Sequence, residues 1–293
     1  MTREASINVS RPLGAVKPKP RDLTRPASMP ANFCALLERA NCAELLARDD
    51  VVIPAVEDRE GYNPGEDFQY WLTGFSDYAN ISQLLPPGWL EEDLSILDFG
   101  GCSGRVARHF LAGRPATQMT IAEANVNYVN WVNNYFSKNC RAVRVGPQPH
   151  IPLPDDSFDF AFALSVFTHI NDDELGWLRE LTRVVKPNGY LYVTILSENS
   201  WEAMDTPSLL VTIKADDDSN RSLAAAVGGP MPCERFSVAL EFNEAVNNCN
   251  TFHSSAYVRR VWNELATIER IAPLHHGHQT AVLLKNDRKV TTD

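Results

Sequence analysis

The 293-residue chain has no stretch near the roughly 18 consecutive apolar residues that a membrane-crossing helix needs. Its N-terminus lacks the apolar core of a secretory signal, so a soluble, cytoplasmic protein is expected. Six cysteines (Cys34, Cys42, Cys102, Cys140, Cys233, Cys249) form no CxxC pair and no compact framework. Free, mostly buried thiols in a reducing compartment follow. Positive charge is scarce: 27 Lys and Arg stand against 37 Asp and Glu, a net −10. Six of the basic residues fall in the first 30 positions against two acids, a net +4, which leaves −14 on the rest. A broad electrostatic grip on nucleic acid or an anionic membrane is thereby excluded. Two phosphate-binding patterns are also missing. The glycine turn at 100–104 fails GxGxxG, because Cys102 and Arg105 occupy the second and third glycine positions, and GxxxxGK[ST] is absent.

What remains is globular: 44% hydrophobic and 22% charged residues can bury a core. Residues 1–30, with five prolines and few large apolar side chains, read as a flexible basic tail or as a flap that orders over a ligand. Residues 31–92 read as an N-terminal helical region, with helical spacing over 31–47 and from Phe68 to Leu85. From Ser95 strands and helices alternate. Strands are expected at Ser95–Phe99, Met119–Ala122, Arg141–Val145, Phe158–Phe167 and Tyr190–Leu196. Between them lie a helix from Arg105, one capped by Asn125 with Val126, Val129, Val132 and Phe136 on one face, and one starting near Asn171. Residues 197–253 lose this regularity, and a helix Ser254–Leu265 and strands Thr267–Ile271 and Gln279–Lys285 restore it. The last two strands are close enough to pair antiparallel. The fold class expected is α/β: a Rossmann-like, doubly wound, mostly parallel seven-stranded sheet with an antiparallel last strand. It carries N-terminal helices and an insertion after the fifth strand. Residues 93–196 and 254–293 form the core, and 197–253 a cap over the substrate.

The chemistry concentrates in the turn from Asp98 to Arg105. A glycine turn after the first strand lets a ligand approach the backbone. Asp98, two residues before Gly100, suits an ammonium group rather than a pyrophosphate. Glu123, twenty-five residues on, ends the second strand, where a carboxylate accepts from both ribose hydroxyls. The pair describes a ligand with an ammonium at one end and a ribose at the other, as S-adenosylmethionine has.

The motifs LDFG and SGRV around this turn, LPDDSFDF and LSVFTHI around the fourth strand, and WLRELTRVVKPNGYLYVT into the fifth resemble class I S-adenosylmethionine-dependent methyltransferases, in their bacterial small-molecule branch. YVRRVW and HQTAVLLKN near the end resemble it too. The resemblance implies S-adenosylmethionine as cofactor. It implies Asp98 at the methionine ammonium, Gly100, Gly101 and Gly104 in the turn, Glu123 and Ala124 at the ribose, Gly146, Pro147 and Gln148 near the adenine, and Ser165 and Val166 at the methionine backbone. It departs at Cys102, where the family has glycine.

On the acceptor side, methyl transfer needs in-line placement of the acceptor and, for a hydroxyl, a base. His169, at the carboxyl edge of the fourth strand, is the first candidate base, against a structural histidine bonded to a loop carbonyl. His253 is the second, against a surface or capping role. Tyr70, Trp71 and Phe75, with Tyr62 upstream, could wall the ligand or pack the N-terminal helices, and Trp201 is a candidate on the substrate side. Arg105 and Arg108 could bind a carboxylate, with Arg108 favoured to pair with a surface acid. His275, His276 and His278 cluster without a nearby Cys or carboxylate, and Asp216–Asp218 reads as a solvated loop, so no metal site is expected. The [DNS]PP[YF] motif of nucleic-acid amine methylation is missing after the fourth strand, as is a glutamate pair like that of protein arginine methylation. The function expected is methyl transfer to a small-molecule acceptor, at a hydroxyl oxygen, in secondary-metabolite or sugar biosynthesis. The alternative is a catalytically silent binding or scaffold protein of the same fold.

Overall fold

The computed structural model describes residues 37–38, 41–59, 66–203, 228–239 and 249–288. The basic N-terminal segment, Tyr62 and Asp216–Asp218 lie outside them. Seven strands form one sheet: β1 (Ser95–Phe99), β2 (Gln118–Glu123), β3 (Cys140–Arg144), β4 (Phe158–Ala163), β5 (Val185–Ile195), β8 (Thr267–His276) and β9 (Gln279–Lys285). Their order is β3-β2-β1-β4-β5-β9-β8. The first five pair in parallel, and β9 runs antiparallel to both β5 and β8. A separate two-stranded sheet joins β6 (Arg235–Ala239) and β7 (Cys249–His253). No helix among the described residues is long and apolar enough to cross a membrane.

Parallel strands covered on both faces must be apolar on both, and the two-residue period sorts them into two cores. Leu97, Ala161, Leu191 and Val193 face α5 (Glu174–Val184) and α7 (Ser255–Val261). Ile96, Ile121, Phe160, Phe162 and Tyr192 face α2 (Asp67–Leu84), α3 (Ala107–Gly113) and α4 (Val126–Tyr135). The caps expected of Asn125 and Ser254 form: each side chain accepts from a backbone N–H two or three residues on. Helix α5 starts one turn later than Asn171, capped by Asp173, whose Oδ1 accepts from Gly176 N. Val126 is exposed, because the buried face of α4 runs through Val129, Trp131 and Val132. The fourth strand stops at Ala163 instead of Phe167, since Ser165 turns the chain at φ 57° and Phe167–His169 form a single 3-10 turn. Strand β8 continues to His276, which carries two of the three clustered histidines toward α2. There His275 Nε2 lies 2.9 Å from the Asn80 carbonyl, and His276 Nδ1 lies 3.5 Å from Asp77.

The N-terminal helices α1 (Cys42–Arg48) and α2 build a third core against α3. Tyr70, Trp71 and Phe75 are fully buried in it, with Trp71 stacked on Phe75 at 5.7 Å. Their place is core packing, not a ligand wall. Beneath them Asp49, itself buried, accepts from Arg108 Nε at 2.6 Å, Trp71 Nε1 at 2.8 Å and Val51 N at 3.0 Å. Arg108 also donates to the Val51 carbonyl. Arg108 thus pairs with an acid as expected, but the acid is interior rather than at the surface. Burial alone would raise the Asp49 pKa, yet the Arg108 guanidinium beside it holds the carboxyl below its ordinary value.

Candidate functional site

The carboxyl ends of β1, β2, β3 and β4 open onto a cavity of about 640 Å³. Open α/β sheets bind ligands at this edge, and the volume is in the range of small-molecule sites. Its walls include Asp98, Gly100, Gly101, Cys102, Glu123 and Ala124 on one side and Gly146, Pro147, Ser165, Val166 and His169 on the other. The cofactor residues expected from sequence therefore converge, with two exceptions. Gly104 sits behind the turn against the Phe136 ring, and Gln148 is exposed outside the cavity.

The turn is shaped by its short side chains. Gly100 takes φ 74° and donates its N–H to the Ala122 carbonyl at 2.8 Å, locking the end of β1 to β2. A Cβ on Gly101 would lie 2.3 Å from Asp98 Cγ, so only glycine lets the buried Asp98 carboxylate lie beneath the turn. Cys102 adopts φ 51°, a conformation that favours glycine, so the departure noted at this position places a side chain on left-handed backbone. Its N–H donates to Glu123 Oε2 at 3.0 Å, and Asn125 N donates to Glu123 Oε1 at 2.8 Å. Each carboxylate oxygen has two acceptor sites, so a backbone bond to each leaves capacity for two hydroxyl donors. That is the acceptor set a ribose diol requires. Glu123 and Asp98 are 7% and 3% exposed. Buried carboxylates demand hydrogen-bond donors or cations, and the ends of a nucleoside bearing an ammonium supply both.

Residues 97–193 match the methyltransferase domain family. The match spans about a third of the chain and covers most of the motifs that resemble the methyltransferases. No curated protein matches the sequence. Among solved structures, a Pyrococcus horikoshii OT3 protein is 17% identical with TM-score 0.51, over 72% of this chain and 89% of that one. A putative sarcosine dimethylglycine methyltransferase from Galdieria sulphuraria is 16% identical with TM-score 0.48, over 73% and 86%. A Burkholderia thailandensis 1,6-didemethyltoxoflavin-N1-methyltransferase, solved with 1,6-didemethyltoxoflavin and S-adenosylhomocysteine, is 12% identical with TM-score 0.46, over 89% and 92%. The Pyrococcus likeness is one of fold.

The other expected residues fall elsewhere. His253 is fully buried, between the Tyr257 and Trp262 rings, and lines no part of the methyltransferase cavity. Burial pushes its pKa down to about 3, so it is a neutral packing residue rather than a base or a surface cap. Trp201 is buried edge-on against Phe236 and Phe252, its Nε1 donating to the Gly229 carbonyl, and is also away from the cavity. Ser165 lines the cavity, but its N–H already donates to Thr194 Oγ1 at 2.7 Å. Among the lining residues that were missed are Arg144, Ile170 and Trp177. Arg144 ends β3 opposite Glu123, a position the strand pattern marks but assigns no role. Trp177, tilted against Phe99 at 4.9 Å, is hidden in the apolar stripe of α5.

Proposed function

We propose that the enzyme methylates a hydroxyl oxygen of a small-molecule acceptor, in secondary-metabolite or sugar biosynthesis, with His169 as the proton acceptor. The observation that carries this reading is the setting of the His169 ring. It is exposed on the cavity wall, and its Nδ1 lies 2.7 Å from the Cys249 carbonyl. A carbonyl only accepts, so Nδ1 bears the proton and Nε2 keeps its lone pair. The carbonyl bond that could mark a structural histidine here also sets the tautomer a base needs. When bound, S-adenosylmethionine supplies an activated methyl group for in-line displacement. Asp98 and Glu123 hold its two polar ends, and His169 Nε2 takes the proton that the acceptor hydroxyl loses.

The acidic body and the lack of nucleic-acid and protein methylation motifs favour a small acceptor over a macromolecule. Residues 197–253, of which α6 (Glu198–Ala203) and the β6–β7 pair are described, are the segment we assign to acceptor binding. Five described cysteines are free thiols, in keeping with a reducing cytoplasm.

S-adenosylhomocysteine release, followed over a panel of hydroxylated and amine acceptors, tests the reading. Turnover is expected with a hydroxyl acceptor and kcat is expected to fall about 10²–10⁴-fold in His169→Ala. Turnover of amines alone, or an unchanged kcat in His169→Ala, would sink the assignment.

A further inference from the structure

The loop after β4 carries His169 and meets the β6–β7 ribbon at both ends of β7. At one end the contact is reciprocal: His169 Nδ1 lies 2.7 Å from the Cys249 carbonyl, and Cys249 Sγ lies 3.4 Å from the His169 carbonyl. At the other end stands Arg235, the first residue of β6 and the register partner of His253. Its Nη2 donates to the carbonyl of Asn171, just beyond His169, and lies 2.9 Å from Glu174 Oε2. Glu174 begins α5 and is 6% exposed, and its other oxygen accepts from the Tyr257 hydroxyl of α7 at 2.5 Å. Burial and that carboxylate push the Tyr257 pKa up to about 12, so its hydroxyl stays a donor. The ribbon itself is tied to the sheet, because His253 N donates to the Leu196 carbonyl, just past β5, at 2.8 Å.

Arg235 has no part in the scheme above, yet the proton acceptor sits on the loop that it grips. One hydrogen bond at Nδ1 sets the tautomer of His169 but lets the loop swing about that bond. A second anchor fixes where Nε2 points, and proton transfer needs that direction held. We infer that Arg235 is a positioning residue for methyl transfer, a role that rests on His169 as the proton acceptor. By clamping Asn171 and Glu174 to the ribbon, it holds the His169 ring against the Cys249 carbonyl. The N–H groups of one guanidinium nitrogen serve a carbonyl and a carboxylate in a fixed plane, which the rotating ammonium of a lysine does not reproduce. The buried Glu174 gives the clamp a counter-charge that is itself fixed by Tyr257. The segment assigned to the acceptor and the group that takes its proton are thereby set as one unit.

The test reads the ring directly. The chain is labelled with isotopic nitrogen in histidine, loaded with S-adenosylhomocysteine and held at alkaline pH. The ring-nitrogen NMR signals of His169 are those lost in His169→Ala. In the wild type they are expected to show a proton on Nδ1 alone. In Arg235→Met they should shift to the averaged positions of an untethered ring that exchanges between tautomers. Retained S-adenosylhomocysteine binding reports that the variant is folded. Arg235→Lys should keep part of the wild-type signature. Over the hydroxylated acceptors, kcat should fall about 10–100-fold in Arg235→Met with the KM for S-adenosylmethionine held. The double variant with His169→Ala should be no slower than His169→Ala alone. An unshifted His169 signal in Arg235→Met, or losses that multiply in the double variant, would overturn the positioning role. Loss of S-adenosylhomocysteine binding in both Arg235→Met and Arg235→Lys would do the same, by making the residue a support of the fold. A wild-type ring protonated on Nε2, or full activity in His169→Ala, would instead overturn His169 as the proton acceptor.

Discussion

Arg108→Ala is expected to destabilise the fold by about 3–5 kcal/mol, a large share of the stability of an ordinary domain. The cause is the partner left behind. Asp49 is 2% exposed and would lose its guanidinium partner, with its bonds from the neutral Trp71 and Val51 N–H groups unable to replace that charge. An uncompensated buried carboxylate is far costlier than a missing ion pair, because no water replaces the lost guanidinium. Denaturant unfolding should show the loss, and Arg108→Met combined with Asp49→Leu should recover much of it by removing both charges. A loss below about 1 kcal/mol in the single variant would mean that the pair does not hold the N-terminal helices to α3. The pH sense is fixed as well. Asp49 is held below its ordinary pKa, so its contribution is present above about pH 4 and is lost as pH falls through the folded-state value.

Glu123→Ala is expected to weaken S-adenosylhomocysteine binding at least about 100-fold. Hydrogen bonds to a charged group are worth about 1.5–3 kcal/mol each, and Glu123 would make two to the ribose. The substitution also releases Cys102 N and Asn125 N, so the turn that shapes the cavity loosens with the ribose contact. Glu123→Gln, which keeps one acceptor oxygen, should fall between. Calorimetry on both variants checks this, and binding unchanged in Glu123→Ala would remove Glu123 from the cofactor site.

The difference between these two residues shows what the sequence could display. Glu123 was legible because a strand end is a position: a buried five-residue run, a glycine turn and an acid twenty-five residues on define the ligand edge of a parallel sheet. Ser95–Phe99 and Gln279–Lys285 were read with their observed limits for the same reason, being short apolar runs bounded by turns. The partner of Arg108 was not legible as a buried acid, because Asp49 lies 59 positions away and its burial depends on how α1 meets α3. The misplaced aromatics follow from one ambiguity. Tyr70, Trp71 and Phe75 mark an apolar helix face, and no pattern on the helix says whether a ligand or α3 covers it. His253 and Trp201 failed similarly, since the segment that holds them lacks periodicity and its packing on Phe252 and Trp262 is tertiary. His169 was placed correctly at the edge, but the bond that sets its tautomer comes from Cys249, 80 residues later.

The central claim is that the Asp98–Glu123 cavity holds S-adenosylmethionine. Calorimetric titration of the full chain with S-adenosylhomocysteine tests it most directly. The expected result is one site per chain with a dissociation constant in the micromolar range, about −8 kcal/mol, abolished by Asp98→Ala combined with Glu123→Ala. The contrary result is no saturable binding to a folded wild-type chain, or binding that survives the double substitution.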